Sequence, residues 1–189
     1  MATAREGEAD FNQSPVFTDV NLFTSDTPLR EAVAREGAAD AAENLTAFGR
    51  IAGSAAAAEL GRQANENPPR LRAFDAQGRR LDRVDYHPAY HRLMGSSTAQ
   101  GLHCSTWNYL ATVNGPRPGA HVARCAGSYM AAQMEAGHCC PITMTHAAVA
   151  SLLHEPVLVR TVLPKLLARS YDPRFAPWQK KQAITIGMG

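Results

Sequence analysis

Ala183-Ile184-Thr185-Ile186-Gly187-Met188-Gly189 sets Ile184, Ile186 and Met188 against small or polar neighbours, the period-2 pattern of a strand. Almost everything upstream reads as helix, with one short hairpin far away in sequence. A lone strand leaves N–H and C=O groups unpaired along both edges and is not stable alone. Two placements resolve this: the segment joins the hairpin, or it opens a sheet whose other strands lie beyond Gly189. The second is favoured, and it makes the chain the N-terminal part of a longer protein.

Working outward, Ser170 to Trp178 reads as a loop leading into that segment. Pro156 to Ala168 is an amphipathic helix built on Val157, Val159, Val162, Leu163, Leu166 and Leu167, with Pro164 predicting a kink or early end. Pro141 to Leu153 reads as a buried helix. Ala120 to Ala136 is another, stopped by Gly137, with Val122, Cys125, Ala126, Tyr129, Met130, Gln133 and Met134 as its expected buried face. The stretch 114–119, rich in Gly and Pro, is a loop, and His87-Pro88 opens a helix through about His103. The hairpin, at about 70–86, pairs Leu71 to Phe74 with Leu81 to Tyr86 around a turn in which Gly78 supplies positive φ.

Further back, apolar residues recur at helical spacing from about Ala39 to Ala64, through Leu45, Phe48, Ala52, Ala55, Ala56 and Leu60. Asn65-Glu66-Asn67-Pro68-Pro69 ends that helix. The first helix follows Ser25-Asp26-Thr27-Pro28, with Asp or Thr as its cap, and Gly37 as its stop. Residues 1–24 lack periodicity, but Phe11, Val16, Phe17, Leu22 and Phe23 make them an extended arm that packs on a body. The expected organisation is thus an arm over 1–24, a helical domain over 25–180 and a first strand over 181–189. The fold class is mainly α.

Composition narrows the function. The chain has 189 residues, 45% hydrophobic and 19% charged, with a formal net charge of +2. That supplies core for one domain but no cationic footprint for nucleic acid. The densest basic stretch, Arg70, Arg72, Arg79, Arg80 and Arg83, is interrupted by Asp75, Asp82 and Asp85 and reads as a solvated hairpin surface. No apolar run reaches the ~18 residues of a membrane helix, and acidic residues stand where a signal peptide would be apolar. Cys104, Cys125, Cys139 and Cys140 fit reduced, half-buried thiols in a cytoplasmic protein.

Chemistry-bearing motifs are sparse. His87 and His91 stand at i and i+4 with Asp85 nearby, and His103-Cys104 or His138-Cys139-Cys140 would have to complete a metal site. Neither a Cys-x2–4-Cys pair nor His-Glu-x-x-His occurs, so surface and cap roles are favoured. There is no nucleophile elbow and no phosphate-cradling glycine loop; Gly187-Met188-Gly189 alone carries little weight. Tyr129, Met130, Gln133, Met134, Met144 and Met188 suit either ordinary core or a cavity for a flexible acyl chain.

Taken in order, several segments resemble one family. They are Phe11-Asn12-Gln13, residues 21–26, residues 31–38, Glu59-Leu60-Gly61-Arg62, residues 64–69, residues 75–82, Glu135-Ala136-Gly137 with Cys140-Pro141-Ile142-Thr143-Met144-Thr145, and Ile186-Gly187-Met188-Gly189. The chain from about Phe11 to Gly189 resembles the N-terminal region of an acyl-CoA dehydrogenase of the AidB (alkylation-response) branch.

The resemblance implies an N-terminal helical domain, a central β domain begun by the terminal strand, and a C-terminal bundle, in a protein that is usually a homotetramer. It implies FAD as cofactor and an acyl-CoA thioester as substrate, desaturated between Cα and Cβ. The catalytic base is implied to lie beyond Gly189, as is the surface associated with DNA. Glu135 is read as part of a helix C-terminal region and not as the base. The segments around Gly137 and Pro141 match the far end of the acyl pocket, making Tyr129, Met130, Gln133 and Met134 candidates for substrate lining. Met188 and Gly189 match the strand end beside the flavin. The isolated chain is expected to be inactive and to release FAD. The competing readings are a DNA-protecting or DNA-binding module and a free-standing interaction module without dehydrogenase activity.

Overall fold

The structure is a computed structural model, and it describes residues 14–187. Seven helices follow one another with a single hairpin between the third and fourth. They are α1 (Thr27–Arg35), α2 (Ala42–Ala52), α3 (Ala55–Glu66), β1 (Arg70–Phe74), β2 (Arg80–Asp85), α4 (Pro88–Ala99), α5 (Ala120–Met134), α6 (Cys139–Leu152) and α7 (Pro156–Leu166). Short 3-10 turns occupy Ala39–Ala41, Ser105–Ala111 and Trp178–Lys180.

Local chemistry sets most of the boundaries. Asp26 caps α1 by accepting from the Leu29 amide at 2.9 Å, and Gly37 ends it at φ 80° while the Ala38 amide reaches back to the Val33 carbonyl. Helix α4 is capped by the His87 ring, which accepts from the Ala89 amide, with Pro88 in its first turn. In the hairpin, Arg70 pairs with Asp85, Leu71 with Val84 and Arg72 with Arg83, and the register slips before Phe74 meets Arg80. Gly78 at φ 77° makes the turn, held by Asp75, whose carboxylate accepts from the Gln77 and Arg79 amides.

Three expectations are corrected here. The helix expected over 39–64 is two helices, because Gly53 ends α2 and Ser54 caps α3 by accepting from the Ala57 amide. The break follows from tertiary packing: a Cβ at Gly53 would collide with the Val20 carbonyl, and Val20 donates to the Gly53 carbonyl at 3.2 Å. Second, only part of the arm packs on the body. Leu22 and Phe23 are buried, whereas Val16 and Phe17 are exposed; Phe11 lies outside the described residues. Third, the helix from Pro88 ends at Ala99, not His103, because Gly101 turns the chain at φ 75°.

The main core is the seam where α2 meets α5 and α3 meets α4, filled by Phe23, Val33, Leu45, Phe48, Leu93, Met94, Met130 and Met134. Each such side chain contributes roughly 1.5–3 kcal/mol on burial. A second cluster joins α6 to α7 through Val149, Val162 and Leu166, with Trp107, Ile184 and Ile186 against it. Pro164 sits in the last turn of α7, and the helix ends two residues later at Leu166.

Residues 183–187 form no ladder with the hairpin, which is a two-stranded sheet among the described residues. They keep an alternation, with Ile184 and Ile186 half-buried and Thr185 exposed. Their amides are satisfied by helices instead: Ile184 donates to the Lys165 carbonyl at 3.3 Å, and Ile186 to the Thr145 hydroxyl at 3.0 Å. Lys165 ties down the approach to the segment, its ammonium donating to the carbonyls of Trp178, Gln179 and Lys181.

Candidate functional site

Helix α5 carries the four candidate lining residues, and the structure divides them. Met130 and Met134 are buried in the main core, whereas Tyr129 is 53% exposed and Gln133 is also exposed. The buried stripe runs through Ala126, Gly127, Met130, Ala131 and Met134, so Cys125, Tyr129 and Gln133 lie off it on the outer face. Gly127 and Ala131 join that stripe in place of Cys125, Tyr129 and Gln133, and a Cβ at Gly127 would press on the end of the Leu102 side chain. Met144, on α6, is half-buried. Met188 and Gly189 lie outside the described residues.

The turn from α5 into α6 holds a network that sequence reading did not reveal. Glu135 accepts from the amides of Gly137 and His138 and from the His138 Nδ1–H at 3.1 Å. The other ring nitrogen, Nε2, lies 2.9 Å from the Ser97 hydroxyl of α4. Because a carboxylate only accepts, Nδ1 carries the proton and Nε2 accepts from Ser97. Burial pushes the His138 ring below its ordinary value, against the pull of Glu135. Burial alone would raise the Glu135 carboxyl, but the hydrogen bonds from His138 and Gly137 outweigh it and hold it low. The order Ser–His–Glu is that of an acyl-transfer triad. Ser97 and His138 are each fully buried, so no substrate reaches the hydroxyl, and the network is a strut between α4 and α6.

Beside this strut, Tyr86 and Tyr90 stack with ring centroids 4.4 Å apart. They form part of the wall between two cavities. One, of about 500 Å³, lies among the hairpin, α4, the loop at 170–175 and residues 183–187. The other, of about 450 Å³, lies among the end of α3, Pro68-Pro69 and the α5–α6 turn. In the first, His91 Nδ1 is 2.9 Å from the Tyr171 hydroxyl. Burial lowers the His91 ring and raises the Tyr90 and Tyr171 phenols, the latter to about 12. Both phenols stay protonated at neutral pH, so the cavity wall is aromatic and uncharged at this point.

Of the remaining histidines, His121 and His146 meet edge-on with ring centroids 5.9 Å apart. His103 Nε2 meets the Ala168 carbonyl at 3.0 Å, and His146 Nε2 meets the Thr106 hydroxyl at 2.7 Å. Among the described residues no group of three or more metal-ligating side chains converges. The four cysteines are free thiols, and they differ in setting from the half-buried expectation: Cys104 is buried, Cys139 half-buried, and Cys125 and Cys140 exposed. Four of the five hairpin arginines are paired as its charge pattern predicts, Arg72 and Arg83 with Asp85, Arg79 with Asp75 and Arg80 with Asp82. No helix among the described residues is long and apolar enough to cross a membrane.

Against known proteins, the profile of the adaptive response protein AidB N-terminal domain matches residues 12–173. The chain belongs to the AidB N-terminal domain family. Over 180 residues, 95% of the chain, it is 44% identical to the provisionally named acyl-CoA dehydrogenase AidB of Escherichia coli (strain K12). It covers 32% of that relative, so this AidB-family chain spans about a third of its length. Two solved structures share the fold. The apo form of Bd2924 superposes with a TM-score of 0.72 at 25% identity, over 85% of this chain and 32% of that one. Caenorhabditis elegans ACDH-11 in complex with C11-CoA gives 0.71 at 22% identity, over 89% and 29%. The fold is that of an acyl-CoA dehydrogenase N-terminal helical domain, helical with one hairpin.

Proposed function

We propose that this chain is the N-terminal helical portion of an FAD-dependent acyl-CoA dehydrogenase-like protein that desaturates an acyl-CoA thioester between Cα and Cβ. The 44% identity to AidB along nearly the whole chain is the observation that carries this reading. FAD, when bound, supplies the acceptor for the β-hydride; the base for the α-proton is assigned to a part of the protein outside this chain.

The chain's own part is to bind and to exclude water. Tyr129 and Gln133, exposed on α5, are the lining candidates free to meet an acyl chain, while Met130 and Met134 hold the helix from behind. Residues 184–186 fit a rigid lead-in to the flavin border assigned to Met188 and Gly189, because Thr145 and Lys165 fix their backbone to α6 and α7. Few of the contacts that would hold FAD come from these residues, so the isolated chain is expected to be inactive and colourless. The same reading places the parent in the cytoplasm as a homotetramer, linked to the DNA alkylation response. Any DNA surface is assigned outside this chain, since four of the five hairpin arginines are ion-paired with the hairpin's own aspartates.

The test is to isolate the native polypeptide from its source and measure intact mass, flavin absorbance and the response to acyl-CoA. A mass well above 20.4 kDa with a flavin that bleaches on acyl-CoA addition supports the reading. A larger protein without flavin and without that response overturns it. A second reading, a free-standing interaction module, is favoured by the exposed apolar side chains of the hairpin, Leu71 and Val84 on one face and Phe74 on the other. It predicts a native mass of 20.4 kDa and a monodisperse, cooperatively folding chain.

A further inference from the structure

A third cavity, of about 440 Å³, lies on another side of the domain, among α2, the turn at Ser105–Ala111 and the start of α5. Its charged lining is unbalanced: Arg117, Arg124 and Arg169 face a single carboxylate, Asp40. Asp40 is already paired with Arg117. Arg124 and Arg169 have no carboxylate partner among the described residues.

Arg124 is the more telling of the two. Its Nε donates to the Leu102 carbonyl at 2.7 Å, which fixes the guanidinium, yet its Nη2 is buried with no acceptor. Burial is also the leading influence that lowers its affinity for a proton. A guanidinium N–H buried without an acceptor is costly, and native proteins keep few such groups without a reason. Arg169 is held nearby, its guanidinium packed over Gly101. Asn44 and Asn108 add amide donors to the lining. The cavity is of a size that takes small ligands.

We propose that this cavity is an anion-binding site, taking a small molecule that bears a compact oxyanion, phosphate or carboxylate, between Arg124 and Arg169. The planar, always-charged forks of two arginines suit such groups better than the point charge of a lysine. This site is independent of the acyl-CoA reading and of the cavities beside residues 183–187.

The experiment is calorimetric titration of the 189-residue chain with inorganic phosphate, sodium chloride holding the ionic strength constant. Saturable binding is expected. Arg169→Gln should weaken it by about tenfold or more, as should Arg124→Lys, which keeps the charge but loses the fork. Arg62→Gln, on the exposed face of α3 and already paired with Glu59, is the control and should leave it unchanged. If Arg124→Lys fails to fold, the exposed Arg169 decides the matter alone. Phenyl phosphate and acetate, titrated in parallel, show by the tighter binder whether the source is a phosphate ester or a carboxylate. Heats no larger than those of chloride for all three anions overturn the proposal, as does phosphate binding that Arg169→Gln leaves unchanged.

Discussion

At the residue scale, the Ser97–His138–Glu135 network separates geometry from accessibility. Removing the Ser97 hydroxyl leaves the buried His138 Nε2 with only the long contact to the Cys139 thiol at 4.0 Å. Ser97→Ala should therefore lower stability by about 1–3 kcal/mol, read as a lower urea midpoint. An unchanged midpoint would mean that water replaces the hydroxyl and that the strut is weak. The α5 residues allow a sharper comparison. Met130→Ala empties a fully buried position and should cost about 2–5 kcal/mol, whereas Tyr129→Ala, on the outer face, should stay within about 0.5 kcal/mol in this chain. If Tyr129 lines the acyl pocket of the parent, its loss will raise KM for long acyl-CoA there without altering the stability of this domain. Sequence alone could not separate these two residues. Both lie on a helix of small and apolar residues, and periodicity gives a face without saying which edge of it meets the neighbouring helix.

Among the elements, most helix starts and stops with a local signal were legible. The Asp26 cap, the Gly37 stop, the Pro68-Pro69 break and the Gly78 turn all act through their own backbone or that of near neighbours. Apart from the Gly101 turn that ends α4, what sequence missed was set from a distance. The α2–α3 break sits beside an alanine run that favours helix, and the approach of Val20 to Gly53 is visible only in three dimensions. The Glu135–His138 network was hidden for the same reason, since its third member, Ser97, lies 41 residues from His138. Glycine positions test this distinction between local and distant control. Gly61 of α3 lies against the Met134 carbonyl at the end of α5, and a Cβ there would collide with backbone. Gly61→Ala gains up to ~1 kcal/mol of helix propensity but should be destabilising overall by about 1–2 kcal/mol. Gly95 of α4 has open space around its missing Cβ, so Gly95→Ala should stabilise by roughly 0.5–1 kcal/mol. Thermal melts of the two variants should shift in opposite directions; shifts of the same sign would refute the packing argument.

For the whole molecule, the buried and half-buried histidines make stability depend on pH in a definite direction. His91, His103, His138 and His146 are all held below the ordinary value of 6.5, in each case chiefly by desolvation, and His146 reaches about 4 under the added influence of Arg124. Below pH 6.5 the unfolded chain takes up protons that the folded chain refuses, so folding loses stability as pH falls. The contribution is fully present above 6.5 and is lost on descent toward each folded value, for His146 between about 6.5 and 4. Glu135, held below its ordinary 4.5, adds a second loss at still lower pH. The ring of His146 is only half-buried, and solvent screening reduces its share to roughly 1–2 kcal/mol. The melting temperature should therefore be level above about pH 7 and fall steadily between pH 6.5 and 4. His146→Gln, which keeps a partner for the Thr106 hydroxyl, should make that fall shallower while leaving the melting temperature at pH 8 nearly unchanged. A melting temperature flat from pH 7 to pH 5 would show that the histidine rings are hydrated in solution and that the α4–α6 and α5–α6 seams are looser than their hydrogen bonds imply.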